Sequence, residues 1–386
     1  MILTVLTAAA AVLWGGILLA PWRPWSTREQ LDPEPGPSDP VDLSEVTALI
    51  PARDEAPVIG RTVVALRAQG PGLRIVVVDD QSSDATAAVA RAAGGPTCDI
   101  VAGAPLPDGW VGKLWALEQG RRRVRTRLTL LVDADIELRP GLVAALVARS
   151  RRDGRELVSL MAVLEQHTTW ERLLVPAFVY FFKLLYPFRI ANSPSRLVAA
   201  AAGGCVLIET AWLDRIGGFG AVRSALIDDC ALARRVKDVG GRTWIGLTHA
   251  AVSHRRMESL GAIWRMVARS AFAQLRFSTL LLLACVGLLM VAFWVPPAAL
   301  ALGSPRTRLV ALAVLAAMVL SYLPVLRFYR LNALWALALP LTGTVYLLMT
   351  ISSAMREWRG AGAVWKGRAY GRGAGRRIVA ASGSEG

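Results

Sequence analysis

The chain has 386 residues, of which 54% are hydrophobic and 19% charged, and its mean hydropathy is +0.42. This balance excludes a disordered chain, a fibrous repeat and a disulfide scaffold, and it argues against a wholly soluble protein, because soluble domains average roughly 45–50% apolar and about 25% charged residues. Lys and Arg number 44 against 29 Asp and Glu, a net charge of +15 that implies an anionic partner: nucleic acid, anionic lipid or a phosphorylated ligand.

Met1 to Trp22 carries no charged side chain and is long enough to cross a bilayer, which takes about 20 residues. No basic residue precedes the run, while Trp22, Arg23, Trp25 and Arg28 follow it. The pattern predicts an uncleaved anchor over 1–22, with the chain beyond it in the cytoplasm. Residues 23–44 hold Pro33, Pro35, Pro37 and Pro40 and predict an extended linker. VTALI (46–50), RIVVVDD (74–80) and LTLLVDAD (128–135) are buried-strand patterns, alternating with helical patterns such as APVIGRTVVALRAQ and a helix from Pro140. The alternation predicts a parallel sheet covered on both faces, with ligands beyond the carboxyl ends of its strands. Late in the chain, three charge-free runs lie between Arg276 and Arg306, Arg308 and Arg327, and Arg330 and Arg356. Pro296-Pro297 and Pro340 should kink the first and third. Three full crossings would put the tail outside, yet Arg356, Arg359, Lys366, Arg368, Arg372, Arg376 and Arg377 favour a cytoplasmic tail. One late segment is therefore expected to be re-entrant or interfacial. The boundaries are an anchor (1–22), a linker (23–44), an α/β domain (45–275), membrane segments (276–355) and a basic tail (356–386).

Polar clusters follow the predicted strands. Asp133 and Asp135 are two residues apart at a strand end and share a face. Two converging carboxylates suit a hard divalent ion, Mg²⁺ or Mn²⁺, whose other ligands come from phosphate and water. Asp79 and Asp80 can accept hydrogen bonds from a nucleobase or ribose, and Asp84 suits a helix cap. Lys113 precedes a helix and could meet a diphosphate there. Asp228-Asp229 opens another helix. Its dipole alone favours acids at that place, or one carboxylate faces a cavity and takes a proton from an acceptor hydroxyl. Cys98, Cys205, Cys230 and Cys285 form no zinc or disulfide pattern, and His167, His249 and His254 are too scattered for a metal set. Trp170 to Phe188 is aromatic-rich, either core or half-sunk in a membrane surface. Arg265, Arg269 and Arg276 share one helical face, which suits an interfacial helix attracted to anionic lipid. The basic residues flank apolar runs and no nucleic-acid motif is present, so nucleic acid is not an expected partner.

Taken in order, PARDE (51–55), VVVDDQSSDAT (76–86), GWVGKLWALEQG (109–120), VDAD (132–135), GGC (203–205), GGF (217–219) and DDCALARR (228–235) resemble the family 2 glycosyltransferases of GT-A fold, a Rossmann-like, mostly parallel mixed sheet. The Gly-Trp-x-Gly-Lys-x-Trp-Ala and DDCALAR forms, the apolar N-terminus and the late VWKGRAY (364–370) are most similar to the hopene-associated subgroup, whose relatives act on lipid acceptors. The resemblance implies that Pro51, Arg53, Glu55, Asp79 and Asp80 line a nucleotide pocket and that Lys113 contacts the diphosphate. It implies that Asp133 and Asp135 hold the metal and the sugar-nucleotide diphosphate, and that Asp229 is the catalytic base, with Asp228 where the family usually has Glu. The expected activity is an inverting, metal-dependent transfer of one sugar from a nucleotide sugar, UDP-linked, to a lipid hydroxyl such as a hopanoid, on the inner face of a bacterial-type cell membrane. The rivals are transfer to a polyprenyl phosphate and a non-catalytic membrane scaffold. The Gln-x-x-Arg-Trp motif of processive relatives is missing around Trp264 to Phe272, which implies a single transfer. Glu209 stands where many relatives have Arg.

Overall fold

The computed structural model describes residues 1–34 and 41–360, and the backbone of 363–365 and 368–370. Pro35, Pro37 and Pro40 of the expected linker lie outside the described residues, as do Lys366, Arg372, Arg376 and Arg377 of the expected tail. The chain divides into two compact units, one of Arg28–Glu165 with Phe188–Arg256, the other of Met1–Thr27, Gln166–Pro187 and Met257–Gly386.

In the first unit β-branched and Leu-rich runs become strands buried on both faces. β1 (Val46–Ala52) buries all of its residues. It pairs in parallel with β2 (Arg74–Asp79) and with β4 (Leu128–Val132), while β3 (Cys98–Ala102) pairs in parallel with β2. β5 (Ile136–Leu138), β6 (Leu157–Leu164), β7 (Cys205–Glu209) and β8 (Thr243–Ser253) complete an eight-stranded sheet of order β3-β2-β1-β4-β7-β6-β8-β5. Successive residues of β1 serve opposite layers. Ala48 and Ile50 join a core with the helices Ile59–Arg67 and Leu142–Asp153, while Leu49 joins one with Gly112–Arg121 and Asp228–Asp238. Each fully buried Leu, Ile or Val contributes about 1.5–3 kcal/mol, so these two layers dominate the stability of the unit. The parallel half matches the alternation in the sequence. The other half makes the sheet mixed, as the GT-A resemblance implies, because β7 runs antiparallel to both β4 and β6. The described part of the expected linker also differs from a free spacer. Leu31 N–H donates to Leu247 O at 3.0 Å, and Asp32 accepts from Thr248 Oγ1 and His249 N–H, each at 2.7 Å, which fastens it along β8.

Among the described residues of the second unit four helices are long and apolar enough to cross a membrane: Ile2–Leu19, Thr279–Leu302, Pro305–Phe328 and Ala333–Trp358. The second breaks at Trp294, beside Pro296-Pro297, as expected from the missing N–H donors. Pro340 stands where the last span changes from a 3₁₀ stretch, Ala333–Ala338, to an α-helix. It lies in the first turn of Leu339–Trp358, where its lack of an N–H costs nothing. That helix runs antiparallel to Thr279–Phe293. Trp294 Nε1 donates to Thr344 Oγ1 at 2.8 Å near one end, and Leu282 clusters with Ala354 near the other. Arg276 and Arg356 therefore lie at the same end of the pair. The aromatic run forms the helix Thr169–Leu185, started by a capping box between Thr168 and Glu171. Tyr180 is fully buried and bonds Ser321 at 2.7 Å, whereas Trp170 and Leu185 are exposed. The VWKGRAY segment supplies two short antiparallel strands, Ala363–Trp365 and Arg368–Tyr370.

Candidate functional site

The carboxyl ends of β1, β2 and β4 all point to one edge of the sheet, and most of the singled-out residues sit there. Pro51 lies in the last turn of β1, Asp79 ends β2, and Asp133 follows β4 directly. The helix Gly112–Arg121 starts beside them and carries Lys113, and the helix Asp228–Asp238 starts with Asp228 and Asp229. Gly203 leads into β7. These elements enclose an open cleft of about 360 Å³, lined by Pro51, Lys113, Asp133, Gly203, Asp228 and Asp229, with Leu117, Val206, Phe219 and Leu232 among its apolar walls.

Charge organises the cleft. Lys113 Nζ lies 2.7 Å from Asp133 Oδ1 and 3.2 Å from Asp228 Oδ2. Asp229 Oδ2 accepts the N–H of Gly203 at 2.8 Å, and its Oδ1 accepts that of Cys230 at 2.7 Å. A Cβ at position 203 would stand 3.1 Å from Lys113 Nζ, so the ammonium would have to give way by a few tenths of an ångström. Burial works against the charge of Lys113, but Asp133 and Asp228 outweigh it and hold the ammonium well above its ordinary range. Burial raises Asp133, and Asp135 adds to the rise against the pull of Lys113. Asp229 is pushed up to about 7 by burial and then by Asp228, against the lowering effect of Lys113 and of its two backbone donors. A carboxylate poised near neutrality beside a cleft can exchange a proton with a bound hydroxyl.

The remaining residues stand nearby with other partners. Arg53 donates from Nη1 to Asp80 O at 2.6 Å and Gln81 O at 3.1 Å, joining the ends of β1 and β2. Glu55 N–H donates to Thr86 Oγ1. Asp79 Oδ1 accepts from Ser82 N–H, and the Asp80 side chain is fully buried. Asp84 accepts the N–H groups of Thr86 and Ala56, so it ties the next helix start to the loop after β1. The outgoing end of β8 was not legible as part of the site. There Ser253 Oγ donates to Asp135 Oδ2 at 3.2 Å, Arg255 Nε lies 3.7 Å from the same oxygen, and His254 N–H donates to Asp135 O. His254 Nε2 bonds Glu137 at 2.6 Å. The only hint in the sequence was a Ser-His-Arg string after a long apolar strand. Glu118 was also unmarked. It accepts from Phe219 N–H at 2.9 Å and from Arg121, fixing the wall that Phe219 provides.

Among the described residues no group of three His, Cys, Asp or Glu side chains is arranged to hold a metal. Asp133 and Asp135 are nevertheless hard oxygen donors, 33% and 14% exposed, and Asp135 lies close enough to raise Asp133. Such a donor pair fits a divalent ion whose coordination is completed by a diphosphate and water.

A family model described as "Glycosyltransferase like family 2" matches residues 44–273. A 4,4'-diaponeurosporenoate glycosyltransferase of Staphylococcus aureus (strain MRSA252) is 36% identical over 126 residues, which is 32% of this chain and 32% of that protein. Its counterpart in strain bovine RF122 / ET3-1 is 35% identical over 126 residues, again 32% of each chain. The match thus spans about a third of the length of these curated relatives. Among solved structures, mannosyltransferase PcManGT from Pyrobaculum calidifontis, in complex with GDP-Man and Mn²⁺, is similar over 92% of this chain and 98% of its own, with a TM-score of 0.52 and 19% identity. That likeness is one of fold.

Proposed function

Because the chain belongs to glycosyltransferase family 2 and has a GT-A-like sheet, we propose that it is a membrane-bound inverting enzyme that moves one sugar from a nucleotide sugar, UDP-linked, to a lipid hydroxyl. The observation that carries this reading is the joint placement of Lys113, Asp133, Asp228 and Asp229 around one cleft. Asp229 takes the proton of the acceptor hydroxyl. The acceptor oxygen forms a bond to the anomeric carbon as the bond from that carbon to the diphosphate breaks on the opposite face. The ammonium of Lys113 turns from the carboxylates to the departing diphosphate and neutralises it. When bound, a divalent ion at Asp133 and Asp135 supplies further positive charge to the same diphosphate. Pro51, Arg53, Glu55, Asp79 and Asp80 form the nucleotide end of the site.

Two observations support a lipid acceptor and a membrane. One is the four apolar helices. The other is the relative's acceptor, 4,4'-diaponeurosporenoate, a lipid-like compound. A hopanoid or related polyprenoid is the proposed acceptor. The antiparallel helix pair puts Arg276 and Arg356 at one end, which supports a cytoplasmic catalytic domain and a tail on that same side of the cell membrane.

Mass spectrometry of total lipids with and without the protein tests the proposal. A glycolipid present only with the protein identifies sugar and acceptor. The variant Asp229→Asn should keep UDP binding and lose turnover. Full activity in that variant would overturn the hydroxyl mechanism and favour an acceptor that is already ionised, such as a polyprenyl phosphate. Failure to cleave any nucleotide sugar with Mn²⁺ supplied would return the chain to a binding scaffold.

A further inference from the structure

Two cations on the helix Asp228–Asp238 collect the carbonyl groups of one loop. Lys237 is 2% exposed, and its Nζ donates to the carbonyls of Ser193 at 3.1 Å, Ser195 at 2.8 Å and Val198 at 2.8 Å. These use all three of its donors. Arg234 donates to the carbonyls of Arg196 and Leu197. Within 193–198 only the carbonyl of Pro194 is not taken up by this pair. The loop has little apolar anchorage of its own, since Leu197 is 85% exposed. Its fold on the helix rests on the two cations.

The same segment continues into the site. Ala199, Ala200 and Ala201 are buried, Ala202 N–H donates to Ser159 Oγ at 2.8 Å, and Gly203 N–H then donates to Asp229 Oδ2. Asp229 lies two turns before Lys237 on the same helix. The helix and the segment 193–203 therefore close a ring, tied at one end by Lys237 and Arg234 and at the other by Gly203 and Asp229. We infer that Lys237 is a positioning residue for Asp229, which it serves by holding the segment that supplies the Gly203 donor. A buried ammonium is costly to desolvate, and here three hydrogen bonds offset that cost, whereas an apolar side chain of similar length would only fill the space. It could not gather three carbonyls. The geometry thus points to placement of the loop, not to packing, as the use of this lysine.

The inference rests on Asp229 being the proton acceptor, and its test separates the two. In full-length protein, Lys237→Met should lower kcat by about 10²-fold with little change in the KM for the nucleotide sugar, as expected when a reacting group is displaced by about 1 Å. Loss of the Gly203 donor removes a bond to the charged form of Asp229, so the acid limb of the kcat/KM profile should move to higher pH. The groups facing Asp229 there are Asp228 and Lys113, with Asp133 bound to the latter, and the substitution touches none of them. Amide exchange over 199–204 should quicken. Lys237→Ala should regain activity with added ethylammonium, which also covers the case in which the Met variant folds poorly. An unmoved acid limb together with unchanged exchange at 199–204 would overturn the inference. If the wild type transfers no sugar, the functional reading fails, and the exchange measurement still decides whether Lys237 holds the loop.

Discussion

Replacing Lys113 by Met tests the charge balance of the cleft directly. Its Nζ stands 2.7 Å from Asp133 and 3.2 Å from Asp228. At an effective dielectric constant of about 20, these contacts are worth about 6 and about 5 kcal/mol before desolvation. Removing one partner of a fully buried pair costs about 3–5 kcal/mol, because the other charge is stranded. Here the three side chains are 19%, 33% and 24% exposed, and water recovers part of the loss. A destabilisation of about 1–3 kcal/mol at pH 7.5 follows. The sign with pH is distinctive. Without the ammonium, Asp133 and Asp229 are raised further, so the folded state keeps protons that the unfolded chain has released. Stability of the variant then falls as pH rises from about 4 to neutrality, and the deficit against wild type shrinks at pH 5. Unfolding by denaturant in detergent at pH 5 and pH 7.5 measures it. Equal deficits at both pH values would refute the electrostatic account and leave only lost packing. Turnover should drop by about 10²–10³-fold, the usual cost of one donor to a developing anion.

Two other outcomes follow from the same geometry. Asp229, raised to about 7, must be ionised to accept a proton. The kcat/KM of the wild type should therefore rise with pH to a plateau above about pH 7. A limb centred near pH 4 would contradict that assignment. Gly120→Ala should destabilise the protein by about 1–3 kcal/mol in chemical denaturation, through overpacking. A Cβ at Gly120 would stand 2.2 Å from Leu49 Cδ1 and 2.8 Å from Val78 Cγ2, inside the sheet core. The helix that must shift carries Lys113, so the KM for the nucleotide sugar should rise as well.

Three strands of the parallel half, β1, β2 and β4, were legible because each is an apolar run ended by polar residues, whereas β3, which carries Asp99 and is only partly buried, was not. Pro51, Asp79 and Asp133 therefore fell at strand ends in the sequence as they do in space. The antiparallel half gave no such signal. β7 pairs with β4 across more than 70 positions, and nothing in Cys205–Glu209 alone states which strand it will join or in which direction. Gly203 was legible only as part of the GGC string, and the contact of its N–H with Asp229 was not. The same limit hid the outgoing end of β8, where Ser253, His254 and Arg255 meet Asp135 through the register of Ile136 against Ser253.

The acids of the cleft were individually ambiguous in the sequence, since a helix start favours Asp228-Asp229 for its dipole alone. The fold gives them different partners. Asp228 faces an ammonium, whereas Asp229 faces two backbone N–H groups and a desolvating wall. Burial and the neighbouring Asp228 raise Asp229 to about 7 even against Lys113 and its two backbone donors, so it keeps an affinity for a proton near neutrality. The proposal that Asp229 is the base draws on these contacts, which adjacency in the sequence does not state.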